Sequence, residues 1–177
     1  MKPSDQERGV TARGHRSGPG AIVPGKVQLG IIGAGSADEE LRAMAREVGA
    51  LAADRGWTVL CGGLGGVMEA ASRGASERGG LVVGILPGGT REEANPYLGA
   101  AVATNMGHGR NAVIAQSSDV LIAVGGEYGT LSEMALGLKM GKPVVSLQSW
   151  QPDPAVRAVG TAQEAVEEAA RCMGLEG

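Results

Sequence analysis

The chain has 177 residues, a net charge of −3 and a pI near 5.4, with 31 glycines and only 2% aromatic residues. That length suits one domain with a real core, and the acidic balance leaves no electrostatic footprint for a nucleic-acid backbone, so nucleic acid is not an expected partner. No apolar run approaches the roughly 18–20 residues of a bilayer span, and Cys61 and Cys172 have neither metal-ligand spacing nor the pattern of a disulfide framework, so the expectation is a soluble cytoplasmic protein with no membrane contact and no metal.

Residues 1–25 are rich in Gly, Pro, Ser and Arg, have no periodicity and contain no apolar core of a signal peptide. They read as a flexible tail, with the folded domain at 26–177. From Lys26 onward, strand-length apolar runs alternate with helix-period stretches: "VQLGIIG", a helix from Asp38, "WTVLCGG", a helix from Gly66, then "LVVGILPGG". The second half repeats the pattern with "AAVAT", a helix from Gly109 to Ser117, "DVLIAVGG", a helix from Thr130, "KPVVSLQ", and a last helix from Thr161 to Cys172. Such alternation predicts an α/β fold, a single three-layer domain whose mostly parallel sheet is covered on both faces. Ligands of open α/β sheets lie beyond the carboxyl ends of the strands, and glycine falls at those ends here. Either the glycines serve tight turns alone, or they expose backbone N–H groups along one rim.

Each loop on that rim is a candidate. Gly33-Ala34-Gly35 lacks the third glycine of the dinucleotide fingerprint, so NAD has weak support, and Ser36 or Asp38 serves as a helix cap or as a ligand contact. Gly62, Gly63, Gly65 and Gly66 clear space for a flat ring system such as a base or a pterin, while Cys61 reads as a small apolar filler. Arg110 opens a helix after two glycines, where a guanidinium clamps a phosphate or carboxylate, or pairs with a neighbouring acid. His108 is the one histidine outside the tail and reads as a loop residue without a catalytic task. Finally, Gly125, Gly126, Glu127, Tyr128, Gly129 and Thr130 lead from an apolar strand to a helix N-terminus, an arrangement that holds anions. Thr130 and Glu133 also have the T-x-x-E spacing of a capping box, which is a purely structural alternative.

The segments "HGRN" and "GGEYGTLSE" resemble the LOG family, the Rossmann-like proteins long mislabelled lysine decarboxylases, whose enzymes cleave cytokinin riboside 5′-monophosphates into base and ribose 5-phosphate. The family signature is PGGxGTxxE, preceded by an arginine. The resemblance implies that Gly126, Gly129 and Thr130 hold a phosphate, and that Arg110 and Glu133 act at the N-glycosidic bond. Here Gly125 stands in place of the signature's proline, Glu127 in place of its second glycine, and Asn111 in place of a lysine. With "CGGLGGVMEAASRGA", the pattern is closer to the branch that includes the molybdenum-cofactor carrier proteins. The expectation is therefore a small phosphorylated ligand, either the molybdenum cofactor or a nucleotide, with a phosphoribohydrolase as the alternative. A DNA-processing protein of the wider superfamily is disfavoured by the acidic balance. Leu131, Met134, Ala135, Leu138 and Met140 give one helix more apolar surface than a sheet-facing stripe needs, so a homo-oligomer, a dimer or tetramer, is expected.

Because residues 1–24 carry no apolar pattern with which to dock, their deletion should leave the melting temperature unchanged within about 1 °C. A fall of several degrees in thermal unfolding would show that the tail packs on the domain.

Overall fold

The computed structural model describes residues 27–175; the expected tail lies outside them. In chain order the elements are β1 (Gln28–Gly33), α1 (Glu39–Asp54), β2 (Thr58–Cys61), α2 (Val67–Glu77), β3 (Val82–Leu86), β4 (Ala100–Ala103), a 3-10 turn (Gly107–Gly109), α3 (Arg110–Ser117), β5 (Val120–Val124), α4 (Tyr128–Lys139), β6 (Val144–Leu147), β7 (Arg157–Val159) and α5 (Ala162–Cys172). The strands form one sheet in the order β4-β3-β2-β1-β5-β6-β7, and every pairing is parallel. The short edge strand β7 was not expected from the sequence, because Arg157–Val159 has too few residues to show an alternation. Among the described residues, no helix is long and apolar enough to cross a membrane.

Sheet alternation divides the core in two. Leu29, Ile31, Val59 and Ile122 join residues of α1, α2 and α5 on one face. Ile32, Leu121 and Ala123 join Ile114 of α3 and Met134 of α4 on the other. A central parallel strand buried on both faces needs apolar residues throughout, and all five residues of β5 are buried.

Two helices are started by their own side chains. Asp38 accepts the Leu41 N–H at 2.9 Å at the head of α1, and Thr161 and Glu164 form a reciprocal capping box on α5. Between α1 and α2 the backbones touch: a Cβ at Gly49 would overlap the carbonyl of Ala71, and one at Gly74 the carbonyl of Arg46. This contact sets the loops that follow β1 and β2 side by side. The chain then crosses to the other side of β1 to form β5, so the loops leaving β1 and β5 diverge and open a crevice at the carboxyl end of the sheet.

Alanine is the better helix former by about 1 kcal/mol, but at position 74 its methyl has only backbone to displace. Gly74→Ala is expected to cost about 1–3 kcal/mol and several degrees of melting temperature in calorimetry. An unchanged or raised melting temperature would show that the helices separate freely.

Candidate functional site

A cleft of about 240 Å³ occupies this crevice. It is lined by Ile32, Gly33, Ala34 and Gly35 at the end of β1, by Gly62, Leu64 and Met68 after β2, by His108, Arg110 and Asn111 around the start of α3, and by Glu127, Gly129, Thr130 and Glu133 around the start of α4. A larger depression of about 470 Å³ lies beside α5 and β7. No strand switch opens onto it, and Glu164 and Glu168 there are engaged in the cap and in ion pairs.

At the cleft's centre, Arg110 is buried with 8% of its surface exposed. Its Nη1 donates to Asn111 Oδ1 and reaches Glu133 Oε1 at 3.5 Å, and its Nε has no hydrogen-bond partner. The guanidinium lies against Gly62, where a Cβ would overlap Nη2. Glycine at 62 is therefore what admits the arginine. Asn111 Nδ2 donates to Ser132 Oγ at 3.3 Å, and Ser132 Oγ to the Gly129 carbonyl at 2.7 Å, tying the start of α3 to the first turn of α4.

Burial pushes the Glu133 carboxyl up to about 7, and the nearby Arg110 charge offsets this only in part. A single long contact, from a nitrogen shared with Asn111, explains the modest opposition. The Cys61 thiol is also pushed up by burial; it contacts Ser72 Oγ at 3.5 Å and does not line the cleft.

The start of α4 rules out the capping-box alternative. Its N-cap is Glu127 rather than Thr130, and no side chain caps the helix. Thr130 already lies inside the first turn and is buried, while Glu133 turns towards Arg110. T-x-x-E spacing is satisfied in sequence, but the helix begins three residues before the start that a Thr130 cap would set. The first N–H groups of a helix have no intrahelical partner, so α4 presents uncapped donors and the positive end of its dipole beside the cleft.

Of the residues singled out from sequence, Gly33, Gly35, Gly62, Arg110, Glu127, Gly129, Thr130 and Glu133 line the cleft together. Ser36, Gly63, Gly65, Gly66, Gly125, Gly126 and Tyr128 are outside its lining. Gly66 and Gly126 instead shape the turns, with φ of 65° and 114°. Sequence reasoning missed the apolar contributors Leu64 and Met68, whose spacing reads as core. It also missed Asn95, which is buried, receives the Tyr97 N–H, and donates to the carbonyls of Gly63 and Leu64 at 2.9 and 3.1 Å. This fastens the β2–α2 glycine loop from behind, and the "NP" dipeptide signalled only a turn.

The family model described as the SLOG cluster4 family matches residues 26–173. An uncharacterized protein of Archaeoglobus fulgidus is 49% identical over 140 residues, covering 79% of this chain and 92% of its own. A cytokinin riboside 5′-monophosphate phosphoribohydrolase of Mycobacterium tuberculosis is 34% identical over 129 residues, with 67% of this chain and 68% of that one covered. The structure of the molybdenum cofactor binding protein of Rippkaea orientalis superposes with a TM-score of 0.80 at 34% identity, covering 84% of this chain and 98% of that one.

Because the Glu133 carboxyl titrates near 7 when folded and near 4.5 otherwise, the folded state binds the extra proton between those values. Stability from this group is complete below about pH 4.5 and is lost as pH rises through 7. Relative to Glu133→Gln, which does not titrate, the wild type should lose on the order of 2 kcal/mol between pH 5 and 8. Thermal unfolding of both proteins across that range checks the sign, and a difference that grows in the wild type's favour would contradict it.

Proposed function

The chain belongs to the SLOG cluster4 family, and from that premise we propose that its cleft binds a small phosphorylated ligand carrying a flat ring system, in the manner of a cofactor carrier. One observation carries the reading: a buried guanidinium with an unpartnered Nε stands beside the uncapped N-terminus of α4. A guanidinium held by one long ion-pair contact retains donor capacity, and an anion in the cleft would meet Arg110 and the α4 amides together. Ile32, Ala34, Leu64 and Met68 give the same cleft apolar wall for a ring. The Rippkaea orientalis protein is described as binding the molybdenum cofactor, a ligand of this class. For that cofactor, Arg110 and the α4 amides would hold the phosphate and Leu64 and Met68 the pterin. A cytoplasmic homo-oligomer remains part of this reading, with Leu131 and Leu138 on α4 and Met140 at its C-cap only half-buried.

A second reading, phosphoribohydrolase activity, is favoured by Glu133, whose carboxyl at about 7 lies beside Arg110. In it the bond between ribose C1′ and the base nitrogen breaks, and the ionised Glu133 faces the positive charge developing on the sugar. Water then supplies hydroxide to C1′ and a proton to the base. The M. tuberculosis relative is named for this chemistry.

Calorimetric titration with adenosine 5′-monophosphate, run alongside an assay for released adenine, separates the readings. Arg110→Lys keeps the charge but loses the fork and should weaken binding at least about tenfold. Glu127→Gly removes a carboxylate from the mouth of the phosphate turn and should tighten it. Binding without adenine release supports the carrier, and release that disappears in Glu133→Gln supports the hydrolase. Equal affinity in the wild type and both binding variants would place the ligand elsewhere.

A further inference from the structure

We infer that Trp150 is a positioning residue for the anion site, holding the Gly126–Glu127 peptide so that the Glu127 N–H faces the cleft; the inference rests on the ligand reading above. The chain contains two Trp and two Tyr and no Phe, yet one of each is spent on the surface. Tyr128 is 80% exposed and Trp150 38%, and their rings stack at a centroid distance of 5.8 Å. Trp150 Nε1–H also donates to the Gly126 carbonyl at 3.2 Å. One indole therefore holds the residue before Glu127 by its oxygen and the residue after it by its ring.

Peptide geometry turns this clamp into a statement about the cleft. None of the described peptide bonds is cis, and in a trans unit the carbonyl and the following N–H point in opposite directions. Trp150 lies on the segment between β6 and β7 and is absent from the cleft lining, whereas Glu127, Gly129 and Thr130 line it. With the Gly126 oxygen held on the Trp150 side, the Glu127 N–H is directed to the other side, where it joins the uncapped amides of α4. The backbone entering this unit has little stiffness of its own, since Gly125 and Gly126 sit at φ of 54° and 114° with no side chains. An external hydrogen bond therefore sets the orientation of the donor.

The test uses the full chain labelled with 15N, titrated with inorganic phosphate and separately with adenosine 5′-monophosphate. In the wild type, the Glu127 amide and the Trp150 indole N–H should both shift with the same saturation curve. The indole signal is identified by its loss in Trp150→Phe. That variant keeps a ring for Tyr128 but has no donor, so its affinity for the probes should fall about three- to tenfold with the melting temperature nearly unchanged. A wild-type Glu127 amide that stays still while the Arg110 signals respond would overturn the inference whatever the variant does. So would wild-type affinity in Trp150→Phe. Should neither probe bind the wild type, the ligand reading fails and takes this inference with it; in the preceding two outcomes that reading survives.

Discussion

The ion pair between Arg110 and Glu133 is the constraint around which the site is arranged. Both groups are almost fully withdrawn from water, with side-chain exposures of 10% and 7%, and a buried pair seldom repays its desolvation. Well-packed apolar residues in those positions would serve stability as well or better. Its neighbours nevertheless accommodate the pair: Gly62 gives up a side chain to admit the guanidinium, Asn111 accepts from it, and Ser132 links Asn111 to the first turn of α4. The fold brings the two charges together because α3 and α4 lie on one face of the sheet and start at the crevice between β1 and β5.

Two of the three departures from the LOG signature, at positions 111 and 127, acquire physical meaning in this setting. A lysine at position 111 would set a second cation beside Arg110. Asn111 instead offers an oxygen to Arg110 and an amide to Ser132, so its part is to orient the arginine rather than to add charge. Glu127 stands at the N-cap of α4 with extended backbone and an exposed carboxylate. Negative charge near a helix N-terminus is favourable by itself, but it competes with an incoming anion for the same field. Under the proposed ligand reading, a site with one arginine, no lysine at position 111 and a carboxylate at its mouth would favour ligands that gain much of their affinity from ring contacts with Leu64 and Met68.

Much of the architecture was legible because the physics is local. Apolar runs of strand length and period-3.6 stretches, punctuated by glycine, marked the strands and helices from β1 to β6, and the apolar run at Val120–Val124 is a strand buried throughout. Arg110 and Glu133 were legible through motif spacing, although sequence left open whether they meet. The capping-box alternative fails because Thr130 and Glu133 satisfy a local rule that tertiary contact overrides: Glu133 is drawn to Arg110 from another helix. Long-range partners left no trace at all. Trp150 meets Gly126 across 24 positions and Asn95 meets Leu64 across 31, and no periodicity encodes such pairings.

The most direct measurement is native mass spectrometry of the protein isolated gently from its own host, alongside the Arg110→Ala variant prepared in the same way. The account predicts that the wild-type chain carries the added mass of a phosphorus-containing small molecule and that the variant emerges without it. A bare wild-type chain, or the same added mass on both proteins, would contradict the claim that the cleft around Arg110 is built to hold such a ligand.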